Sequence, residues 1–157
     1  MQTYDKFYIN GQWVAPNGKD TIEVIDPSTE EVCGVVPSGN KADVDAAVSA
    51  AREAFKTWSL TTAAERSEYI KKIAEKFTEG AAKIGDLCAK ELGTPLQTSI
   101  AMHGGLGIGV MSSYIEVPFE MEKEEQIGNS IVIKEPIGVC GFITPWNFPL
   151  HQIVAKL

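Results

Sequence analysis

Histidine and cysteine are scarce in this 157-residue chain, with two of the first and three of the second. His103 and His151 have no ligand-like spacing to other metal-binding side chains, so no metal site is expected. Cys33, Cys88 and Cys140 are odd in number and far apart. They form neither a disulfide framework nor a zinc pattern, and they suit a reducing compartment. Positive charge is also short: 14 Lys and Arg stand against 21 Asp and Glu, for a formal net charge of -7. A protein that grips a nucleic-acid backbone needs a positive footprint, and attraction to anionic membrane surfaces needs one too. No apolar run approaches the roughly 20 residues that span a bilayer. The residues after Met1 lack the basic-then-apolar order of a secretion signal. The expectation is a cytoplasmic protein with no nucleic-acid partner and no membrane partner.

What is present is ordinary globular material, 44% hydrophobic and 22% charged. Asn10-Gly11 between Phe7-Tyr8-Ile9 and Gln12-Trp13-Val14 predicts a hairpin with a type I′ turn. Alternation over 21–25 and a short apolar run over 32–36 predict two more strands, stopped by Pro27 and Pro37. The period then becomes helical. Val44, Val48, Ala51 and Phe55 mark a helix over about 41–57, opened by Asn40 with Asp43. Thr62 and Glu65 form a capping box for a helix with Ile70, Ile73 and Phe77 on one face, which Gly80 ends or interrupts. A further helical segment carries Ile84, Leu87, Cys88 and Leu92 and stops at Gly93-Thr94-Pro95. From Thr98 to about Val117 a helical pattern returns, with Leu106, Val110 and Tyr114 as its stripe and four glycines within it. Residues 118–125 read as an acidic connection, and 130–134 and 138–143 as strands, the second more apolar and more central. Pro149 suits the first turn of a last helix, whose pattern runs to Leu157 without a stop signal. The expected class is α/β: small sheet, helices, then the opening of a strand–loop–helix unit.

Three features invite a chemical reading. The glycine run 104–109 lacks G-x-G-x-x-G spacing and sits inside a helical pattern, so close helix packing is the expected use. Cys140, between Val139 and Phe142 in an expected buried strand, reads as structural; Cys33 and Cys88 read likewise. The loop that leaves the strand over 138–143 and enters the last helix lies where open α/β sheets place ligands. It carries Asn147, whose amide can donate to an oxygen that gains negative charge without itself titrating. Asparagine also caps helices, and spacing alone leaves that use open.

The stretch Glu135-Pro136-Ile137-Gly138-Val139-Cys140-Gly141-Phe142-Ile143-Thr144-Pro145-Trp146-Asn147-Phe148-Pro149-Leu150 closely resembles the signature of the NAD(P)-dependent aldehyde dehydrogenase superfamily. Tyr8-Ile9-Asn10-Gly11-Gln12-Trp13, Ile25-Asp26-Pro27-Ser28-Thr29, the helix from Ala42 and Glu91-Leu92-Gly93-Thr94-Pro95 agree with it, Thr94 standing where lysine is frequent. The resemblance implies oxidation of a small aldehyde through a cysteine thiohemiacetal and thioester, with hydride passing to NAD, NADP being left open. It implies that Asn147 stabilises the oxyanion and that Lys156 supports the asparagine region and proton transfer. It places Ile143, Thr144, Pro145 and Trp146 beside the cofactor, and Phe148, Gln152 and Ala155 along the substrate tunnel. None of the three cysteines matches the family nucleophile, and the general-base glutamate and the glycine motif of the cofactor phosphates have no match either. The resemblance therefore implies an amino-terminal piece of a longer enzyme, inactive alone and binding no cofactor alone, or else a structural or self-association module derived from one. Its implied parts are 1–127, hairpins and helices of the cofactor-binding domain; 128–137, a strand of an oligomerisation sheet; and 138–157, the first strand–loop–helix of a Rossmann-like core. A homo-oligomer is expected.

Overall fold

The computed structural model describes residues 2–157. Strands β1 (Gln2–Thr3), β2 (Phe7–Ile9), β3 (Gln12–Val14), β4 (Thr21–Asp26) and β5 (Glu31–Pro37) come first. β2 and β3 form the expected hairpin, with Asn10 at φ 52° and Gly11 at φ 74°, the two positive angles that a type I′ turn requires. β4 and β5 pair antiparallel, and β1 adds to β5 in parallel, a pairing that the sequence reading did not include.

Helix α1 (Lys41–Trp58) starts at a reciprocal cap. Asn40 Oδ1 accepts from the N–H of Ala42 and Asp43, and Asp43 Oδ2 accepts from the N–H of Asn40 at 2.9 Å. The other Asp43 oxygen takes the backbone and side-chain N–H of Asn17, at 2.8 and 3.0 Å. One carboxylate thus ties the helix start to the preceding loop. The backbone N–H of Asn40, then that of Asn17, hold the Asp43 carboxyl below its ordinary value of 3.8. A lowered carboxylate stabilises the fold above the ordinary value, and that contribution disappears as pH falls through the lowered one. Asp43→Asn is expected to reduce the melting temperature at neutral pH, and the gap to the unchanged protein should close as a thermal scan is repeated below about pH 4.

Helix α2 (Ala63–Leu92) is one unbroken element of 30 residues, where two segments were expected. Gly80 does not end it, because Ile70, Ile73, Phe77 and Ile84 continue one face across the glycine onto a shared core. The expected Thr62–Glu65 capping box is present, and the Ala63 N–H also donates to Glu122. At the other end Gly93 takes φ 73°.

The next helical stretch is divided. α3 (Leu96–Ser99) leads into a π turn over Ile100–Gly104 and then α4 (Gly105–Ser113). The extra residue of the π turn shifts the facing side chains. His103, Gly104, Gly107 and Met111 point inward, while Leu106, from the expected stripe, is exposed. Gly104 and Gly107 serve close packing: a Cβ on Gly104 would sit 2.6 Å from the Ala81 carbonyl oxygen, and one on Gly107 2.8 Å from Leu150 Cγ. α5 (Val117–Met121) occupies part of what was read as an acidic connection; Pro118, at a first-turn position, is buried.

The last part departs furthest from expectation. β6 (Glu125–Ile127) and β7 (Ser130–Val132) form a short hairpin around Gly128, so the strand expected over 130–134 is shorter and, among the described residues, pairs only with its predecessor. Residues 138–143 form no strand. No described segment offers them a ladder, and an apolar sequence alone cannot make one. Val139 and Cys140 are exposed there, so the buried, structural Cys140 of the sequence reading is corrected; Cys33 is half-buried and Cys88 buried. α6 (Pro149–Val154) closes the chain's regular structure. Its Leu150 and Val154 join Ala74 and Met111 in the core, with Val110 packed alongside. That α2–α4–α6 packing fixes where the loop before α6 emerges.

Candidate functional site

α6 is entered through a bend over 146–148, and its first position is Pro149. Phe148, not Asn147, occupies the cap position. The Gln152 N–H donates to the Phe148 carbonyl at 2.9 Å, and no side chain caps the helix. The helix-capping use of Asn147 is thereby removed. Asn147 is exposed, and its side chain makes no hydrogen bond among the described residues. Its donor is therefore open to a group outside this chain segment.

The four residues before it form an open strip at the surface. Ile143 is 97% exposed and Trp146 76% exposed, with Thr144 and Pro145 also at the surface. The backbone through this strip pairs with no strand among the described residues. The strip thus sets backbone amides and carbonyls without ladder partners beside the exposed side chains of Ile143 and Trp146. Upstream, residues 138–141 run along a groove whose other wall is Val48, Arg52 and Phe55 of α1. Val48 and Phe55, both half-buried, are on the face that the helix period marked, although Val44 at its start is exposed.

Lys156 lies beyond α6 and turns back upon it. Its Nζ donates to the carbonyl and to Oε1 of Gln152, each at 3.0 Å. The structure thus brings Lys156 together with Gln152 and makes no hydrogen bond from it to Asn147. Ala155 is exposed. Phe148 is half-buried, its ring 5.1 Å from that of His103 and 6.4 Å from that of His151.

This aromatic cluster escaped the sequence reading. His103 is only 5% exposed; its Nε2 lies 3.3 Å from Thr94 Oγ1. The Nδ1 atoms of His103 and His151 are buried and make no hydrogen bond among the described residues. Nothing in the separation of 103 from 151 signals that their rings meet one phenylalanine. Among the described residues no cluster of three metal-binding side chains occurs, and no helix is long and apolar enough to cross a membrane.

The site lies within a recognisable sequence and fold. The model of the aldehyde dehydrogenase family matches residues 13–157. A 3-succinoylsemialdehyde-pyridine dehydrogenase from a Pseudomonas species is 40% identical over the whole of this chain and 33% of its own length. An aldehyde dehydrogenase crystal structure from Bartonella henselae superposes with a TM-score of 0.93 at 35% identity, covering 98% of this chain and 33% of that one. An aldehyde dehydrogenase variant from Pseudomonas syringae, complexed with NAD+ and octanal, superposes at 0.92 with 39% identity, covering 96% and 31%. The chain spans about a third of the length of the relatives it matches. With an α/β architecture shared at that level and a family match from Trp13 to the last residue, the chain belongs to the aldehyde dehydrogenase family.

Proposed function

We propose that this chain is the amino-terminal part of an NAD(P)-dependent aldehyde dehydrogenase and that it supplies the oxyanion donor. The observation that carries the reading is the Asn147 amide, open at the start of α6 and spared from capping by Phe148. The nucleophilic cysteine and the general base come from the remaining two-thirds of the enzyme, because none of Cys33, Cys88 and Cys140 occupies the nucleophile position of the family motif.

When an aldehyde carbonyl is attacked by a thiolate, negative charge collects on its oxygen. A neutral N–H donor fixed in advance lowers that barrier more than it stabilises the bound aldehyde. When bound, NAD(P) would supply the hydride acceptor beside the substrate carbon. Ile143 and Trp146 offer it apolar surface, and Thr144 and Pro145 offer backbone and hydroxyl contacts. Phe148, Gln152 and Ala155 line the approach of the aldehyde. Lys156, anchored on Gln152, holds the outer end of that approach and a proton near it. Segments 1–127, 128–137 and 138–157 act as the helical part of the cofactor domain, a strand of an oligomerisation sheet and the opening of the Rossmann-like core. Cytoplasmic location and a homo-oligomeric enzyme complete the reading; exposed Ile131, Ile133 and Ile137 on and after β7 supply apolar surface for self-association.

The test is an NAD-linked assay on an aldehyde panel with both the full-length protein and the 157-residue chain. NADH should form only with the full-length protein. Turnover by the short chain, or none by the full-length protein with either NAD or NADP, would refute the assignment. Light scattering on the same samples should give a dimer or larger species; a monomer counts against self-association.

A further inference from the structure

Asn147 can stabilise an oxyanion only if something holds its loop, and the loop's own hydrogen bonds do not. The side chain is unbonded, 138–145 is unpaired, and α6 is only six residues long. What grips the loop is the next residue. The Phe148 ring meets the buried His103 ring at 5.1 Å with an interplanar angle of 51°, a favourable tilted geometry. His103 projects from the π turn, a local winding that sets its direction differently from an α-helix. Its ring plane is set from the other side by Thr94, just beyond the C-terminal Gly93 of α2.

A buried imidazole with an unbonded Nδ1 is a poor way merely to fill space, since an apolar side chain avoids the desolvation cost. What the imidazole adds over leucine is a ring held in one plane by one hydrogen bond. Four residues on, Gly107 lets α4 pack closely on Leu150 of α6, since a Cβ there would sit 2.8 Å from Leu150 Cγ.

We propose that His103 is a positioning residue for Asn147: clamped by Thr94 at the π turn and stacked on Phe148, it fixes the place from which the amide is presented. The inference rests on the oxyanion reading of Asn147 given above. His103 touches neither substrate nor cofactor; its effect passes through Phe148.

The test is a double-mutant cycle in the full-length enzyme, with His103→Leu, His103→Gln, Asn147→Ala and His103→Leu/Asn147→Ala. Steady-state kinetics and NAD titration by fluorescence quenching are measured for each. His103→Leu should lower kcat by about 10²-fold, the scale of a misplaced reacting group, and leave the aldehyde KM and the NAD dissociation constant within about twofold. His103→Gln, which keeps a polar partner for Thr94 but no ring for Phe148, should recover only part of that loss. In the Asn147→Ala background His103→Leu should cost less than about twofold, because the group it positions is gone. Equal losses in both backgrounds, a change confined to KM, or unchanged kcat in His103→Leu would overturn the proposal. Full kcat in Asn147→Ala is a separate result: it refutes the oxyanion reading, and the positioning role with it. If His103→Leu does not fold, Thr94→Val, which removes the hydrogen bond that sets the His103 ring, takes its place in the cycle, and the same non-additivity is required.

Discussion

Asn147→Ala in the full-length protein is expected to lower kcat/KM for an aldehyde by about 10²–10³-fold, the usual cost of removing one oxyanion donor. The loss should fall on kcat, because the donor acts on charge that exists only as the carbonyl is attacked. Binding of NAD, read by fluorescence, should change little, since Asn147 lies after the strip proposed to face the cofactor. Asn147→Asp should be worse than alanine. It keeps the shape but sets a carboxylate against developing negative charge, and its loss should ease at acid pH as that carboxyl protonates. Both variants should fold normally. Asn147 is exposed, caps nothing and bonds to nothing among the described residues, so its removal leaves no buried group stranded. A drop in melting temperature matching the drop in rate would mean that the asparagine is structural, and the catalytic assignment would fail.

The largest stability effect is expected at Gly85. A Cβ built there would lie 2.5 Å from Ile100 Cα and 2.9 Å from the Ile100 backbone nitrogen. The obstacle is backbone, so no side chain can rotate out of the way. It is also the start of the π turn, and beside it Ser99 Oγ donates to the Gly85 carbonyl at 2.7 Å. Gly85→Ala must push α2 from the helical stretch after it. Overpacking of this kind costs about 1–3 kcal/mol, which outweighs the gain of roughly 1 kcal/mol that alanine brings to a helix interior. Gly80→Ala is the control, because its Cβ would meet only Ile84 Cδ1, at 3.8 Å. Thermal melts of the two variants should move in opposite directions. A Gly85→Ala protein as stable as its parent would show that α2 and the π turn can separate at little cost.

Much of this architecture was legible because it is local. Asn10-Gly11, the Asn40–Asp43 and Thr62–Glu65 boxes and Gly93 state their backbone geometry within four residues. The facing residues of the π turn were not legible. A single extra residue in one turn moves the stripe from Leu106 to Gly107, and glycine carries no hydrophobic signal to announce it. The strand expected at 138–143 failed for the opposite reason. Its apolar residues were read correctly, but a strand is a pairing, and pairing depends on residues far away in sequence. Asn147 and the strip before it are singled out by motif alone. The His103–Phe148–His151 cluster was not, since His103 stands 45 positions before Phe148 and meets it only through the packing of α6 on the helical stretch before it.

The length of α2 also sets an order of assembly. At about 1.5 Å per residue its 30 residues make a rod of roughly 45 Å. α3, the π turn, α4 and α5 fold back along it after a turn of a few residues, so those contacts close short loops and cost little chain entropy. α6 must return across the 27 residues between α5 and its own first turn before it reaches Met111 and Ala74. The helical floor therefore forms early and cheaply, and the loop that presents Asn147 docks onto a surface already made.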